Sequence, residues 1–276
     1  MKYYCLIAGL PDIQLDDSKG VPTTDILKVD METQLSAEDM KLLHLIYAKY
    51  DNYNLLSYLQ NKDAELNPLG KLNSEDWKEL IGLMEEYEQP KDNRLSPYIQ
   101  QFYALYKDET FSFEGVSDED FLLGLYYEYA MQSDNKFMHD WFEFNLNINN
   151  ILAAIACRKY EFSPQQFILG DNEIAQALRK SNARDFGLAG MFNELDTVMR
   201  ISEETNLLTR EKQIDQLKWN WLEERTFFDY FTVERVLSFV LKCELINRWK
   251  PLTQEKGTQV FRNMLNTLKE DVKFEK

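Results

Sequence analysis

One short pattern occurs three times in this chain at nearly equal intervals, and it constrains the fold more than any other feature. The pattern is an acid or amide, two further residues, and then an asparagine followed by a large side chain. Its six polar residues are Asp51 and Asn54, Asn147 and Asn150, and Glu244 and Asn247. The final asparagines stand at positions 54, 150 and 247, so the intervals are 96 and 97 residues. A fixed period predicts related units, here three of about 90–100 residues each.

The polar pair falls on the apolar face of a long helical pattern in each copy. Residues three or four apart share one face of a helix, so Asn54 lies in register with Tyr50 and Tyr58. A buried polar group without a partner costs about 1–3 kcal/mol. We therefore expect all six residues to be largely buried and hydrogen-bonded, either to a helix end or to a loop carbonyl.

The chain as a whole predicts an all-α fold of three pseudo-threefold helical repeat units. The motif helices, over residues 38–60, 135–160 and 232–250, should superpose by an approximate threefold rotation. Residues 1–35 predict a short irregular arm, with a β-like segment at Tyr3–Ile7 that could form a strand. We place unit one, with this arm, at 1–95, unit two at 96–195 and unit three at 196–276.

Capping residues and turns predict the remaining helices between and after the motif helices. The first motif helix begins at Ser36, where Ser36 and Asp39 resemble a capping box. The other helices are predicted over residues 74–88, 97–107, 118–132, 172–182, 207–225 and 257–272, and within 186–201 after a break at Gly187 and Gly190. Leu-Gly loops at 69–70 and 169–170 precede two of them and add a second correspondence between units one and two.

Charge and cysteine content limit the partners that the chain can bind and indicate its cellular compartment. The chain has 47 Asp and Glu against 31 Lys and Arg, a formal net charge of −16. Such a chain is a poor ligand for nucleic acid or for an anionic membrane surface. Its three cysteines, Cys5, Cys157 and Cys243, are far apart, which predicts free thiols in a reducing cytoplasm. No apolar run reaches the length of a membrane span.

The sequence predicts no catalytic, cofactor-binding or metal-binding residues. Its two histidines, His44 and His139, have no neighbouring histidine or cysteine with ligand spacing. No phosphate-binding glycine loop and no G-x-S-x-G element occur. Paired carboxylates are frequent, but most of them fall at helix N-termini or on solvated faces. An all-α enzyme with a carboxylate-lined cavity stays open as a lesser alternative.

With three helical units built on this motif, the chain resembles the C subunit of V/A-type rotary ATPases, called d in the eukaryotic complex. Members of that family carry a D/E-x-x-N motif on a long helix of each unit. Residues 51–55 match the first motif closely, 147–151 match the second with Asn147 in place of the acid, and 244–248 resemble the third. The N-terminal segment departs from the family, which usually opens with a helix, and suggests a divergent bacterial branch.

The resemblance implies a non-catalytic central-stalk subunit without cofactors. Such a subunit receives the central axle, rests on the membrane rotor ring and couples the two during ATP-linked ion or proton transport. It would be cytoplasmic and peripheral to the inner membrane as part of a protein complex, without inserting into the membrane. The alternative is a free-standing all-helical scaffold or adaptor for another partner.

Overall fold

Several helices begin with a side chain that accepts a hydrogen bond from a backbone N–H of the first turn, among them those that follow Ser36, Asn73 and Asn172. The structure is a computed structural model that describes residues 2–17, 19–87, 90–108, 115–252, 257–258, 261–262 and 264. Throughout these ranges the fold is all-helical, with no strand. The helices are α1 (Tyr4–Gly9), α2 (Thr24–Gln34), α3 (Ala37–Gln60), α4 (Ser74–Glu86), α5 (Pro97–Lys107), α6 (Asp118–Ala130), α7 (Lys136–Tyr160), α8 (Pro164–Phe167), α9 (Glu173–Lys180), α10 (Leu195–Ser202), α11 (Leu207–Arg225) and α12 (Val233–Asn247).

The chain divides into two compact units, and the smaller one is built from both ends of the sequence. It combines the described residues up to Gln34 with those from Leu222 onward, and the larger unit is residues 35–221. In the smaller unit α2 packs on α12, burying Leu27 and Met31. The sequence prediction of unit one at 1–95 differs, because it groups the N-terminal residues with α3 and α4.

The larger unit is organised around the motif helices α3 and α7. Both pack against α6, and α7 also contacts α8, α9 and α10. The Tyr126 hydroxyl on α6 donates to the Leu45 carbonyl on α3 at 2.7 Å. In the first half of α7, the ring of Phe144 stacks on that of Trp221 from α11, with centroids 5.1 Å apart. Apolar and aromatic burial of this kind supplies most of the driving force for folding.

The predicted strand at Tyr3–Ile7 is wrong, because Tyr4–Gly9 forms α1. The helix buries Leu6, and the Tyr3 N–H donates to the Phe231 carbonyl at 2.8 Å. That partner stands near the other end of the sequence, so local β-propensity alone could not predict the outcome.

The irregular arm was also predicted too long, because Thr24–Gln34 forms α2. Its buried Leu27 and Met31 are four residues apart, the spacing of one helical face. The pattern is weak in the sequence because Ile26 and Val29 on the same helix are 55% and 58% exposed.

Two further predicted helical regions, 186–201 and 257–272, can be compared with the structure only in part or differ from it. Within 186–201 the helix begins only at Leu195, as α10 (Leu195–Ser202). The predicted break at Gly187 and Gly190 is present, since both residues and Phe186 have positive φ angles that interrupt regular helix. The helix predicted over 257–272 falls mostly outside the described residues. The helices carrying the three motifs are present as α3, α7 and α12, and their threefold relation stays a prediction.

Candidate functional site: three asparagine clamps

Asn54 holds the backbone of a following loop with both ends of its amide. Its Nδ2 donates to the Asn67 carbonyl at 3.0 Å, and the Asn67 N–H donates to its Oδ1 at 2.7 Å. Asn54 is fully buried within α3, so these bonds satisfy groups that water cannot reach. We call such a pair, a motif asparagine and the loop residue it holds, an asparagine clamp.

Asp51, one turn earlier on α3, anchors the next part of the same loop. Its Oδ1 accepts from the Lys71 N–H at 2.8 Å and from the Leu72 N–H at 3.1 Å. Gly70 lies between the two anchors, and a Cβ there would fall against Asn54 Nδ2 and 2.9 Å from Asp51 Oδ1. The glycine is therefore required by the close approach of the loop to the motif side chains.

The second clamp repeats the first on α7. Asn150 Nδ2 donates to the Leu169 carbonyl at 2.8 Å, and the Leu169 N–H donates to Asn150 Oδ1 at 2.9 Å. Asn147, in the position of the acid, accepts from Asn172 Nδ2 at 2.9 Å. Asn172 in turn caps α9 by accepting from the Ala175 N–H. Asn147 thus bonds to another side chain, whereas Asp51 accepts directly from backbone N–H groups of its loop.

The third clamp is incomplete, and a proline explains why. Asn247 Nδ2 donates to the Pro22 carbonyl at 2.9 Å and to Thr24 Oγ1 at 3.2 Å. In the other clamps the same loop residue returns its N–H to the asparagine, but proline has none. Among the described residues Asn247 Oδ1 accordingly has no hydrogen-bond donor, although the atom is buried.

The three clamps agree in their helix contacts but differ in chain order. In each, the helix that follows the clamped loop packs on the motif helix: α4 on α3, α9 on α7, and α2 on α12. In the third clamp that loop comes 225 residues before the asparagine. The N-terminal segment thus provides the clamped loop for α12, whereas α3 and α7 clamp loops that follow them in the sequence. One signal in the sequence could have found it: no Leu-Gly loop follows Asn247, whereas Gly20 and Pro22 stand in the N-terminal arm.

Burial of the six motif residues follows their place along the helices. Asp51, Asn54, Asn147 and Asn150 are buried. Glu244 and Asn247 are only half-buried, short of the expectation. Asn247 is the last residue of α12, where the chain turns toward solvent, whereas Asn54 and Asn150 lie well inside their helices.

Other polar groups near the clamps are buried or hydrogen-bonded within the protein. The Tyr98 hydroxyl donates to Asn52 Oδ1 at 2.6 Å, and burial, together with the negative charge of Asp51, raises the pKa of Tyr98 far above its ordinary value. Burial also raises the pKa of the Cys243 thiol to about 12. In the part of the chain that the structure describes, no group of three or more His, Cys, Asp or Glu side chains could hold a metal ion.

These features define a class: an all-helical protein in which buried amide and acid side chains fasten loops to long helices. Within that class, the chain belongs to the family described as Protein of unknown function (DUF2764), whose model matches residues 1–272. Comparisons with curated proteins and with solved structures give no match. No helix within the described ranges has the length and hydrophobicity needed to cross a membrane.

The missing donor at Pro22 gives a test of the third clamp. Pro22→Ala supplies an N–H for Asn247 Oδ1, so its effect on stability should depend on Asn247. We expect a coupling free energy of about 0.5–1.5 kcal/mol between Pro22→Ala and Asn247→Leu in a double-mutant cycle measured by urea unfolding. Pro11→Ala, an exposed proline of the same unit, should show no coupling to Asn247. Equal effects of Pro22→Ala in both backgrounds would contradict the assignment.

Proposed function

We propose that the chain is a non-catalytic central-stalk subunit of a V-type rotary ATPase, similar to the C or d subunit, that couples the central axle to the membrane rotor ring. The observation that carries the proposal is the motif asparagine itself. On each of three long helices it donates to a loop carbonyl, at Asn67, Leu169 and Pro22. The acid-x-x-asparagine motif of the family that the sequence resembles thereby has a physical role in this chain.

The clamps suit a part that transmits torque. A coupling element must resist deformation between its two partners, and loops bonded to buried helix side chains cannot shift without breaking those bonds. Two such bonds per clamp hold the loops of α3 and α7. In the proposed complex the subunit would be cytoplasmic and peripheral to the inner membrane. The net charge of −16 would favour encounter with a basic face of the axle.

A gentle purification tests the proposal. A tagged chain expressed at its native level, recovered from detergent-solubilised membranes of its own cell, should bring down the axle and rotor-ring subunits of a rotary ATPase. Association with the purified axle should slow as salt rises, because screening weakens long-range attraction. Recovery without any ATPase subunit, while the intact ATPase is purified free of this chain, would overturn the proposal and favour a separate helical scaffold.

A further inference from the structure

A short segment of the smaller unit contains four aromatic residues within five positions, and all four are exposed. We call Thr226–Thr232, between α11 and α12, the aromatic loop. Phe227, Phe228 and Tyr230 are 66%, 79% and 64% exposed, and Phe231 is 38% exposed. Single exposed apolar residues are ordinary, but a contiguous group of large ones marks an interaction site.

The aromatic loop has a defined conformation that keeps these rings outside the core. The Thr226 hydroxyl, itself buried, donates to the Leu222 carbonyl at 2.7 Å, and the Asp229 N–H donates to the Thr226 carbonyl at 3.1 Å. The rings of Phe227 and Phe228 meet edge to face at 4.9 Å.

The N-terminal segment supports the far end of the aromatic loop. The Tyr3 N–H donates to the Phe231 carbonyl at 2.8 Å, and the ring of Tyr4 lies 4.5 Å from that of Phe231. The ring of Tyr4 is itself half exposed and extends the apolar surface. A surface already ordered in this way loses little conformational entropy when a partner covers it.

The rim of the aromatic loop is acidic. Residues 223–235 contain four acids against two arginines; the acids are Glu223, which pairs with Lys242 at 3.2 Å, and Glu224, Asp229 and Glu234. Burial and the nearby Glu234 raise the pKa of Asp229 despite the attraction of Arg235. An additional cation beside Asp229 would relieve that unfavourable environment.

We propose that the aromatic loop is the docking surface for a partner protein whose contacting segment is apolar and carries Lys or Arg at its edge. Aromatic anchors with a charged rim are the usual composition of such an interface. The inference goes beyond the proposed function and does not depend on it, because its supporting observations concern the aromatic loop and its neighbours and not the clamps.

Other occupants fit the surface less well. An anionic membrane would be repelled by the acidic rim. A second copy meeting the loop through a twofold axis would place Asp229 close to its own counterpart, which is unfavourable. A small molecule needs a concave site, whereas the aromatic loop presents its rings outward.

Photo-crosslinking from the loop tests the inference. The full-length chain carrying p-benzoylphenylalanine in place of Phe228 is irradiated in its native cell, and the cross-linked peptides are sequenced by mass spectrometry. The expected product joins residue 228 to one segment of another protein that has a net positive charge. A matched chain with the photoreactive residue in place of Leu208, which is 57% exposed on α11, should not yield that peptide.

Once the partner has been identified by cross-linking and purified, its binding to variants of this chain measures the contribution of the loop. Phe227→Ser with Phe228→Ser should weaken binding at least about tenfold, the scale of aromatic anchors, and Asp229→Lys should weaken it as well. Leu207→Ser with Leu208→Ser should leave binding unchanged. A lipid adduct, a peptide of this same chain, an acidic peptide or no adduct at all would each overturn the proposal, as would equal binding by the Phe227/Phe228 variant.

Discussion

Gly70→Ala is expected to lower the free energy of unfolding by about 1–3 kcal/mol, the cost of leaving buried polar groups unpaired. The new methyl group would meet Asn54 Nδ2 and lie 2.9 Å from Asp51 Oδ1. Neither side chain can move aside without giving up its bonds to the loop. Urea unfolding followed by circular dichroism measures the loss.

The same chemical change at Gly82 should act in the opposite direction. Gly82 lies in α4, is exposed, and has nothing within 4 Å of the position that a Cβ would take. Gly82→Ala should therefore raise stability by about 0.5–1 kcal/mol through helix propensity. If both variants shift the unfolding midpoint in the same direction, the close approach at Gly70 does not matter as argued.

Asn54→Leu should destabilise the larger unit by about 1–3 kcal/mol, and Asn150→Leu by a similar amount. Asn54→Leu removes the acceptor of the Asn67 N–H and one of two donors to the Asn67 carbonyl, which also accepts from the Gly70 N–H at 3.1 Å. Asn150→Leu removes the partner of both the carbonyl and the N–H of Leu169. Hydrogen exchange should locate the damage: the amide of the affected loop residue loses protection. With Asn54→Leu, the amides of Lys71 and Leu72 should keep theirs because Asp51 still holds them.

Asn247→Leu is the matched comparison for these two variants. It also removes two bonds, but it eliminates a buried carbonyl oxygen that lacks a donor in the described structure. We expect its cost to be smaller than that of Asn54→Leu. A larger cost, or a neutral Asn54→Leu, would contradict the account of the clamps.

Much of the helical framework could be predicted from the sequence because its signals are local. Ser36, Asn73 and Ser117 accept hydrogen bonds from the first turns of α3, α4 and α6, as capping residues should. The polar residues on the apolar faces of α3 and α7 also predicted buried hydrogen bonds, to a helix end or to a loop carbonyl, and the structure shows loop partners. The clamped loop residue follows its motif asparagine by 13 residues in one case and by 19 in the other, so the partner lies nearby in the sequence.

The smaller unit could not be predicted in the same way because its contacts join distant residues. The Tyr3–Ile7 segment has β-propensity, yet its helix is fixed by a bond to Phe231. The apolar pattern of α2 is weak, and the burial of its apolar residues is explained only by its packing on α12. Conformations that depend on a partner more than 200 residues away leave little trace in local composition.

The joining of both sequence ends in the smaller unit also sets an order for folding during synthesis. The segment around Pro22 is translated 225 residues before the asparagine that holds it. Residues 35–221 can complete their own packing in that interval. Until then α2 has no α12 on which to bury Leu27 and Met31. Nascent chains stalled before α12 should therefore show protease cleavage within residues 2–34 while the larger unit resists it.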